Sequence, residues 1–280
     1  MRTVEQLKNI AYEIRKDVLI SLHEAGSGHL GGSLGVSDIF TVLYFHFLRH
    51  DPQNPGWPER DRLVLSIGHV APTLYACLAR AGYFDRQELM SLRKLGSMLQ
   101  GHPATEHNVP GLETTAGSLG QGLSIAVGMA LADKIDNKDR RVVSILGDGE
   151  LQEGSVWEAA MSAGHYKLSK LTAIVDRNKV QIDGDTEKVM RLEPLKSKWE
   201  SFNWHVLECN GNIIRDIINS FSKADEITDK PIVIMANTKM GAGVKSIEND
   251  HTWHGKPPQN QDQLNQFLNE LEIAFTSQNG

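Results

Sequence analysis

Cysteine is almost absent from this sequence: two residues in 280, Cys77 and Cys209, far apart and each in an apolar context. That excludes a disulfide framework and points to buried thiols, the usage expected of a cytoplasmic protein. No apolar run reaches transmembrane length and the amino terminus is polar, so neither a membrane span nor a secretory leader is expected. Cationic excess is lacking as well. A formal net charge of −6, with no basic stripe, argues against a nucleic-acid surface. Internal repeats, low-complexity tracts and Pro/Gly/Ser-rich linkers are all missing. Nothing therefore divides the chain, and residues 1–280 are expected to form one domain.

What is present is an apolar fraction of 40%, enough to bury about three quarters of the unfolded surface. The chain is organised around residues 142–184. An apolar, β-branched run at 142–146 suits a strand buried on both faces. Gly147-Asp148-Gly149 breaks it, and a helical stripe follows from about residue 151, with Val156, Trp157, Ala160, Met161 and Ala163 on one side. A second buried run at 171–175 ends at Asp176-Arg177-Asn178. Strand, turn, helix, strand is the unit of a parallel α/β sheet, whose ligands sit beyond the carboxyl ends of the strands. Asp148 and Asn178 both fall there. Their oxygens suit a hard cation, and Gly149 lets backbone N–H groups approach an anion at a helix start. A cation beside a helix N-terminus is a site for a diphosphate.

The rest of the chain supplies flanking helices, further strands and glycine-rich loops. Residues 3–25 read as an amphipathic helix, and the glycine run at 25–35 as a loop containing His29. A helix is expected at 36–48, a strand at 62–67 ending beside His69, and a helix opening at Pro72. Residues 85–99 are helical in pattern, and 101–122 form a loop that holds His102 and ends in Gly117-Ser118-Leu119-Gly120-Gln121-Gly122. A small-residue helix at 123–134 is thin enough to pack closely on the sheet or on another subunit. The charge run at 134–141 reads as a solvated loop. Further on come loops and short helices at 185–203, a strand at 204–207, a helix at 213–221, a strand at 231–236 and an amphipathic tail at 261–275.

The chain has 11 histidines, and four of them, His29, His69, His102 and His254, stand beside glycine in loops between elements. Imidazoles there can donate to an oxyanion and exchange protons near neutral pH. Taken singly, each is more often a solvated or core histidine.

GDG, then 27 residues, then Arg177-Asn178 resembles the thiamine-diphosphate motif. That motif usually ends in two asparagines; here the first of the pair is Arg177, a departure that many transketolase-like proteins tolerate. GDGELQEG resembles the transketolase family in particular. SGHLGGSLG looks like that family's SGHPG-x-x-LG, with Leu30 in place of proline. DRLVLSIGH, GHP with PGLETTAGSLGQG, DRNKVQIDG and HTWHGKP are similar to its later motifs, in the same order. The resemblance implies a three-layer, parallel-sheet α/β domain that binds thiamine diphosphate with Mg²⁺ (Ca²⁺ or Mn²⁺ as alternatives). It implies a metal held by Asp148, Asn178 and the carbonyl of Val180. His69, Gly117, Ser118, Leu119, Gly149, Glu153, Asn178 and His254 would hold the cofactor. His29, His102 and His254 would contact the sugar, with His102 at the donor's C1 hydroxyl and carbonyl. Glu153 would also lie at a subunit interface, with Glu158 further along the same helix.

A whole transketolase is more than twice this long. Its second domain supplies the glutamate that bonds the aminopyrimidine ring, an aromatic pocket for that ring and basic residues for the sugar's phosphate. None of this chain's motifs matches those roles. The resemblance therefore implies the amino-terminal subunit of a split, two-chain transketolase. It would transfer a two-carbon ketol unit between anionic sugars, working with a carboxy-terminal partner subunit in an α₂β₂ assembly. A 1-deoxyxylulose-5-phosphate synthase-like fragment is the rival among enzymes, and the LQEG wording speaks against it. A non-catalytic binding or regulatory thiamine domain is the rival from another class, and the intact Asp148, Asn178 and four histidines speak against that.

Overall fold

The computed structural model describes residues 2–277. Helix α1 (Val4–Ala25) opens on a capping box: the Thr3 side chain accepts from the Gln6 N–H, and the Gln6 side chain accepts from the Thr3 N–H. Gly26, at φ 63°, ends it in the left-handed conformation. Short helices α2 (Leu30–Gly35) and α3 (Ser37–Val42) follow, and a widened π turn carries α3 on through Phe47. Then come β1 (Arg62–Leu65), α4 (Ala71–Ala81), α5 (Gly122–Ile135), β2 (Val142–Gly147), α6 (Gly154–His165) and β3 (Leu171–Arg177). A two-residue ribbon pairs β4 (Val180–Gln181) with β5 (Gly184–Asp185), followed by α7 (Thr186–Val189) and α8 (Leu195–Ser201). The chain closes with β6 (His205–Asn210), α9 (Ile214–Asp225), β7 (Ile232–Asn237) and α10 (Gln261–Ser277).

Five strands form one parallel sheet in the order β1-β2-β3-β7-β6. Side chains alternate across it. Val143, Ile145, Ile174, Ile232 and Ile234 face one core, built with α1, α3, α4, α9 and α10. Val142, Leu146, Leu171, Ala173, Val175, Val233 and Met235 face the other, built with α5, α6 and α8. This is the expected three-layer α/β architecture with a parallel sheet. In the second core Trp199 of α8 lies between Trp157 and Trp204, at ring separations of 5.2 and 4.9 Å. Both cysteines are buried free thiols. Among the described residues no helix is long and apolar enough to cross a membrane.

Several local expectations are corrected. The glycine run is not all loop, since 30–35 form the buried α2. Its glycines are there for close packing: a Cβ on Gly31 would lie 2.7 Å from Met240 Cγ, and one on Gly35 2.9 Å from the Lys239 carbonyl oxygen. Packing of the helix as a bare backbone outweighs the conformational cost of glycine. The pattern at 85–99 makes only a 3₁₀ turn, Arg86–Ser91, because the chain then reverses with Arg93 and Gly96 at positive φ. The helix after the GDG turn begins at Gly154, preceded by a 3₁₀ turn at Gly149–Gln152. The strand expected at 204–207 becomes the longer β6. The charge run at 134–141 is exposed but pinned, with Arg140 paired to Asp133, Arg141 to Asp225 and Lys138 to Glu59.

Candidate functional site at the carboxyl edge of the sheet

Because β1, β2, β3 and β7 are parallel, their following loops leave from the same edge: 66–69, 147–149, 177–179 and 237–243. The fixed point among them is Asp148, 1% exposed. Its Oδ2 accepts from the Lys179 N–H (2.6 Å) and from Arg177 Nη1 (3.0 Å), and its Oδ1 accepts from the Gly149 N–H (2.8 Å). Burial raises the pKa of this carboxyl against those three bonds. Asn178 sits beside it. Its Oδ1 accepts from the Val180 N–H at 2.8 Å and its Nδ2 donates to Asp176 at 2.8 Å. Asp176 is fully enclosed and also accepts from the Thr238 hydroxyl; burial pushes its carboxyl up to about 7.

Arg177, the departure from the usual asparagine pair, is 4% exposed and binds Asp148 together with Glu187 (2.6 Å) and Glu193 (3.1 Å). It therefore ties α7 and the loop after it to the GDG turn. Gly149 lies against Gln181, which accepts from Gln152 Nε2 at 2.9 Å.

Glu150 was not singled out by the sequence, and it joins the GDG turn to the opposite loop. It is 2% exposed and accepts from the Ser66 hydroxyl, the Gly120 N–H (2.7 Å) and the Gly147 N–H (3.0 Å). Ser66 Oγ in turn accepts from the Gly122 N–H at 3.0 Å. This network seats 117–122 over the end of β1, so that a Cβ on Gly68 would meet Gly117 N at 3.0 Å. Gly117 and Ser118 remain exposed and Leu119 is half-buried. The signal that could have found Glu150 is its place within the GDGELQEG motif. Glu153 caps the start of α6 beside Gly120 and is exposed; Glu158, one and a half turns on, is exposed too.

The four glycine-flanked histidines converge. His29 lies 5.1 Å from His69, 6.0 Å from His102 and 5.8 Å from His254, and His69 lies 5.1 Å from His254, ring centre to ring centre. Helix α2 makes this meeting possible. Gly32 lets it press onto the turn that holds His69, where a Cβ would stand 3.2 Å from Val70 and 3.8 Å from His69 Nε2. His29, His69 and His254 are half-buried and His102 is exposed. The Nδ1 atoms of His29 and His254 are buried with no hydrogen-bond partner among the described residues. Buried nitrogens without partners are costly, and a ligand's hydroxyl or phosphate oxygen is the kind of group that would satisfy them.

Burial lowers the pKa of His69 to about 3, with His254, His29 and His102 adding to the effect. Burial likewise lowers His29 to about 4, helped by His254, His102 and Arg93. His102 and His254 are lowered in the same direction, burial being the main cause in both. The four rings are therefore neutral at physiological pH.

An expected stability profile follows. Between pH 6.5 and 3 the unfolded chain binds more protons at these positions than the folded one, so stability rises with pH in that window. It is fully present above about 6.5, the ordinary value, and declines on acidification. A His69→Asn variant should lose less melting temperature than the wild type between pH 7.5 and 5, measured by thermal denaturation in parallel buffers. Identical losses would remove His69 from the account.

The arrangement offers hard oxygen ligands at one end, backbone N–H groups beside them, and neutral acid–base groups around a cleft. Asp148 and Asn178 supply only two such ligand side chains. Consistent with this, the described residues contain no group of three or more His, Cys, Asp or Glu that could hold a metal. A backbone carbonyl and an anionic ligand would complete the shell of a hard cation.

Comparison with known proteins agrees with this chemistry. The family model described as the transketolase thiamine diphosphate binding domain matches residues 7–273. A 6-deoxy-6-sulfo-D-fructose transketolase subunit from Clostridium sp. (strain MSTE9) is 46% identical over 242 residues, 86% of this chain and 88% of the relative. One of the apulose-4-phosphate transketolase subunits, from Phocaeicola vulgatus, is 42% identical over 255 residues, 91% of this chain and 90% of the relative. Among solved structures, a transketolase mutant from Pichia stipitis superposes with a TM-score of 0.88 at 32% identity. It covers 98% of this chain, and the match spans 41% of that one.

Proposed function

The chain belongs to the transketolase family, as its thiamine diphosphate binding domain, and from that premise we propose that it is the amino-terminal subunit of a split transketolase. The enzyme transfers a two-carbon ketol unit from an anionic ketose to an aldose. The observation that carries this is the convergence of four neutral histidines beside the Asp148–Asn178 pair. Two similar relatives named as transketolase subunits, matched over nearly their whole length, support the two-chain reading. The five-stranded sheet with its two flanking layers supports reading residues 1–280 as one domain. Two free buried thiols support a cytoplasmic location.

The residues fit thiamine diphosphate and a divalent cation. Asp148, Asn178 and the Val180 carbonyl would hold Mg²⁺, or Ca²⁺ or Mn²⁺ in its place. Gly149, His69, His254, Glu153 and the turn Gly117-Ser118-Leu119 would hold the cofactor. When bound, the cofactor supplies a centre that stabilises negative charge on the carbon left by C–C cleavage. His29, His102 and His254 orient the sugar's hydroxyls and carbonyl. Because their folded pKa values lie below neutrality, they accept and return hydroxyl protons without holding them.

Self-pairing into α₂β₂ is supported by the outer faces of α5 and α6. There Ile125 (37% exposed) and Met161 (58%) are turned outward, and Gly128 leaves open space. Glu153, exposed at the start of α6, belongs to the same face in this assembly.

A ketol-transfer assay tests the reading, using this chain assembled with its partner subunit, Mg²⁺ and thiamine diphosphate. Absence of transfer at saturating cofactor overturns it. Within that assembly His102→Ala should reduce turnover by about 10²–10⁴-fold, the usual worth of one positioned acid–base group. Cofactor binding should remain nearly normal. A variant that loses the cofactor but keeps its turnover per occupied site would exchange the roles of His102 and His69.

A further inference from the structure

One buried charge joins three of the segments that build the site. Glu150 accepts from the Ser66 hydroxyl just after β1, from the Gly147 N–H at the end of β2, and from the Gly120 N–H in the 117–122 turn. All three partners donate, so an acceptor-only carboxylate suits them where an amide does not. The side chain is enclosed with both oxygens spent inside the protein, which leaves it no free face for chemistry on a ligand. Enclosing a charge is costly, and packing alone would be served by an apolar side chain.

What the network fixes is the 117–122 turn. Glu150 holds the Gly120 N–H at 2.7 Å, the Ser155 hydroxyl donates to the Gly120 carbonyl at 3.1 Å, and Ser66 Oγ accepts from the Gly122 N–H at 3.0 Å. Gly120 stands at φ 84°, where a Cβ would lie 2.8 Å from Glu153 Cβ, so this corner is packed against the start of α6. The preceding half of the turn is unspent: the N–H groups of Gly117, Ser118 and Leu119 donate to nothing among the described residues. Successive backbone N–H groups in a turn make an anion-binding concavity. That half crosses Gly68, the residue before His69, and a Cβ on Gly117 would stand 4.0 Å from His102 Cβ. The GDG turn is held by the same carboxylate at Gly147, next to Asp148. One side chain therefore links the unspent N–H groups to the Asp148 oxygens and to the turns that carry His69 and His102.

We infer that Glu150 is a positioning residue for the cofactor, holding the 117–119 turn and the GDG turn at the separation where N–H groups from one and a cation on the other meet a single diphosphate. This rests on the thiamine diphosphate reading above. Glu150 itself touches neither cofactor nor cation and acts through Gly120 and Gly147. Its effect falls on the order of the turn and, through it, on cofactor affinity.

The test uses the enzyme assembled from both subunits, as wild type, Glu150→Gln and Ser66→Ala. Glu150→Gln keeps the shape but sets an NH₂ against a backbone N–H, at Gly120 or at Gly147. Ser66→Ala removes one limb of the network and is the milder change. Two quantities are read, with the melting temperature recorded for each form. Without cofactor, hydrogen exchange of the amides of residues 117–122 is followed by mass spectrometry; both variants should exchange faster there than the wild type, Glu150→Gln more so. At saturating Mg²⁺, calorimetry gives the dissociation constant of thiamine diphosphate. Glu150→Gln should raise it about ten- to hundredfold, the usual cost of losing a group that orients a ligand-holding residue, and Ser66→Ala should raise it less. If Glu150→Gln does not fold, Ser66→Ala carries both readouts. A lower melting temperature with exchange and affinity both unchanged would overturn the inference, because that is what a purely structural glutamate gives. Faster exchange without weaker binding, or weaker binding without faster exchange, would overturn it too, since the turn would not then be the route. A wild type that binds no thiamine diphosphate would instead overturn the reading beneath it.

Discussion

Replacing Asp148 by Asn is expected to weaken Mg²⁺-dependent binding of thiamine diphosphate by at least about 100-fold. Changing a residue that merely supports a ligand typically costs about 10–100-fold in metal affinity, and on the reading proposed above this change removes a charged ligand itself. The structure gives the substitution a second consequence. Asp148 accepts three hydrogen bonds, from Gly149, Lys179 and Arg177, so an amide NH₂ in place of one oxygen must point at a donor. The cheaper orientation sets the NH₂ against the single donor at Gly149 and leaves the amide oxygen to accept from Lys179 and Arg177. In the wild type, burial works against the Asp148 charge, and a divalent cation offsets that cost. Mg²⁺ with cofactor should therefore raise the melting temperature of the wild type and leave that of Asp148→Asn nearly unmoved. Calorimetry of both forms, each with its partner subunit, measures the affinities directly. Equal affinities would sink the assignment of Asp148 to the metal.

That strand-turn-helix-strand core was readable because its signals were local. Two buried runs ending in Asp148 and Asn178 predict a parallel pair with both residues at one edge, and β2 and β3 pair with Gly147 opposite Asp176. The histidines were readable as candidates by their glycine neighbours, and their meeting could be expected only through the family resemblance. What was illegible depended on tertiary contact. No local rule makes a helix of LGGSLG, since glycine is unfavourable there until Met240, Lys239 and Val70 crowd against its bare face. Glu150 looked like an ordinary carboxylate because its partners, Ser66 and Gly120, lie 84 and 30 residues away. Arg93 lay inside a segment read as helix, and the chain reversal that turns it toward His102 comes from positive φ at Arg93 and Gly96.

The largest effect is expected when the chain is assayed without its partner: no ketol transfer. A cofactor bound here would need a carboxylate against its aminopyrimidine ring, and Asp148, Glu150 and Asp176 are already engaged. Asp148 and Asp176 are held in the cation and β3 loops, and Glu150 spends its two oxygens on Ser66, Gly120 and Gly147. Glu153, given above to the cofactor and the subunit interface, is exposed at the N-cap position of α6 beside Gly120. A cofactor held here would have its diphosphate enclosed and its ring end without a partner, so the reaction waits for groups from a second subunit. The measurement is ketol transfer by the purified chain with Mg²⁺, thiamine diphosphate, a ketose phosphate and an aldose phosphate, repeated after adding the partner. Turnover that appears only on mixing supports the two-chain enzyme, and the stoichiometry of the active species by light scattering tests α₂β₂. Full turnover by the chain alone would refute it, and would mean that one of its own carboxylates reaches the ring.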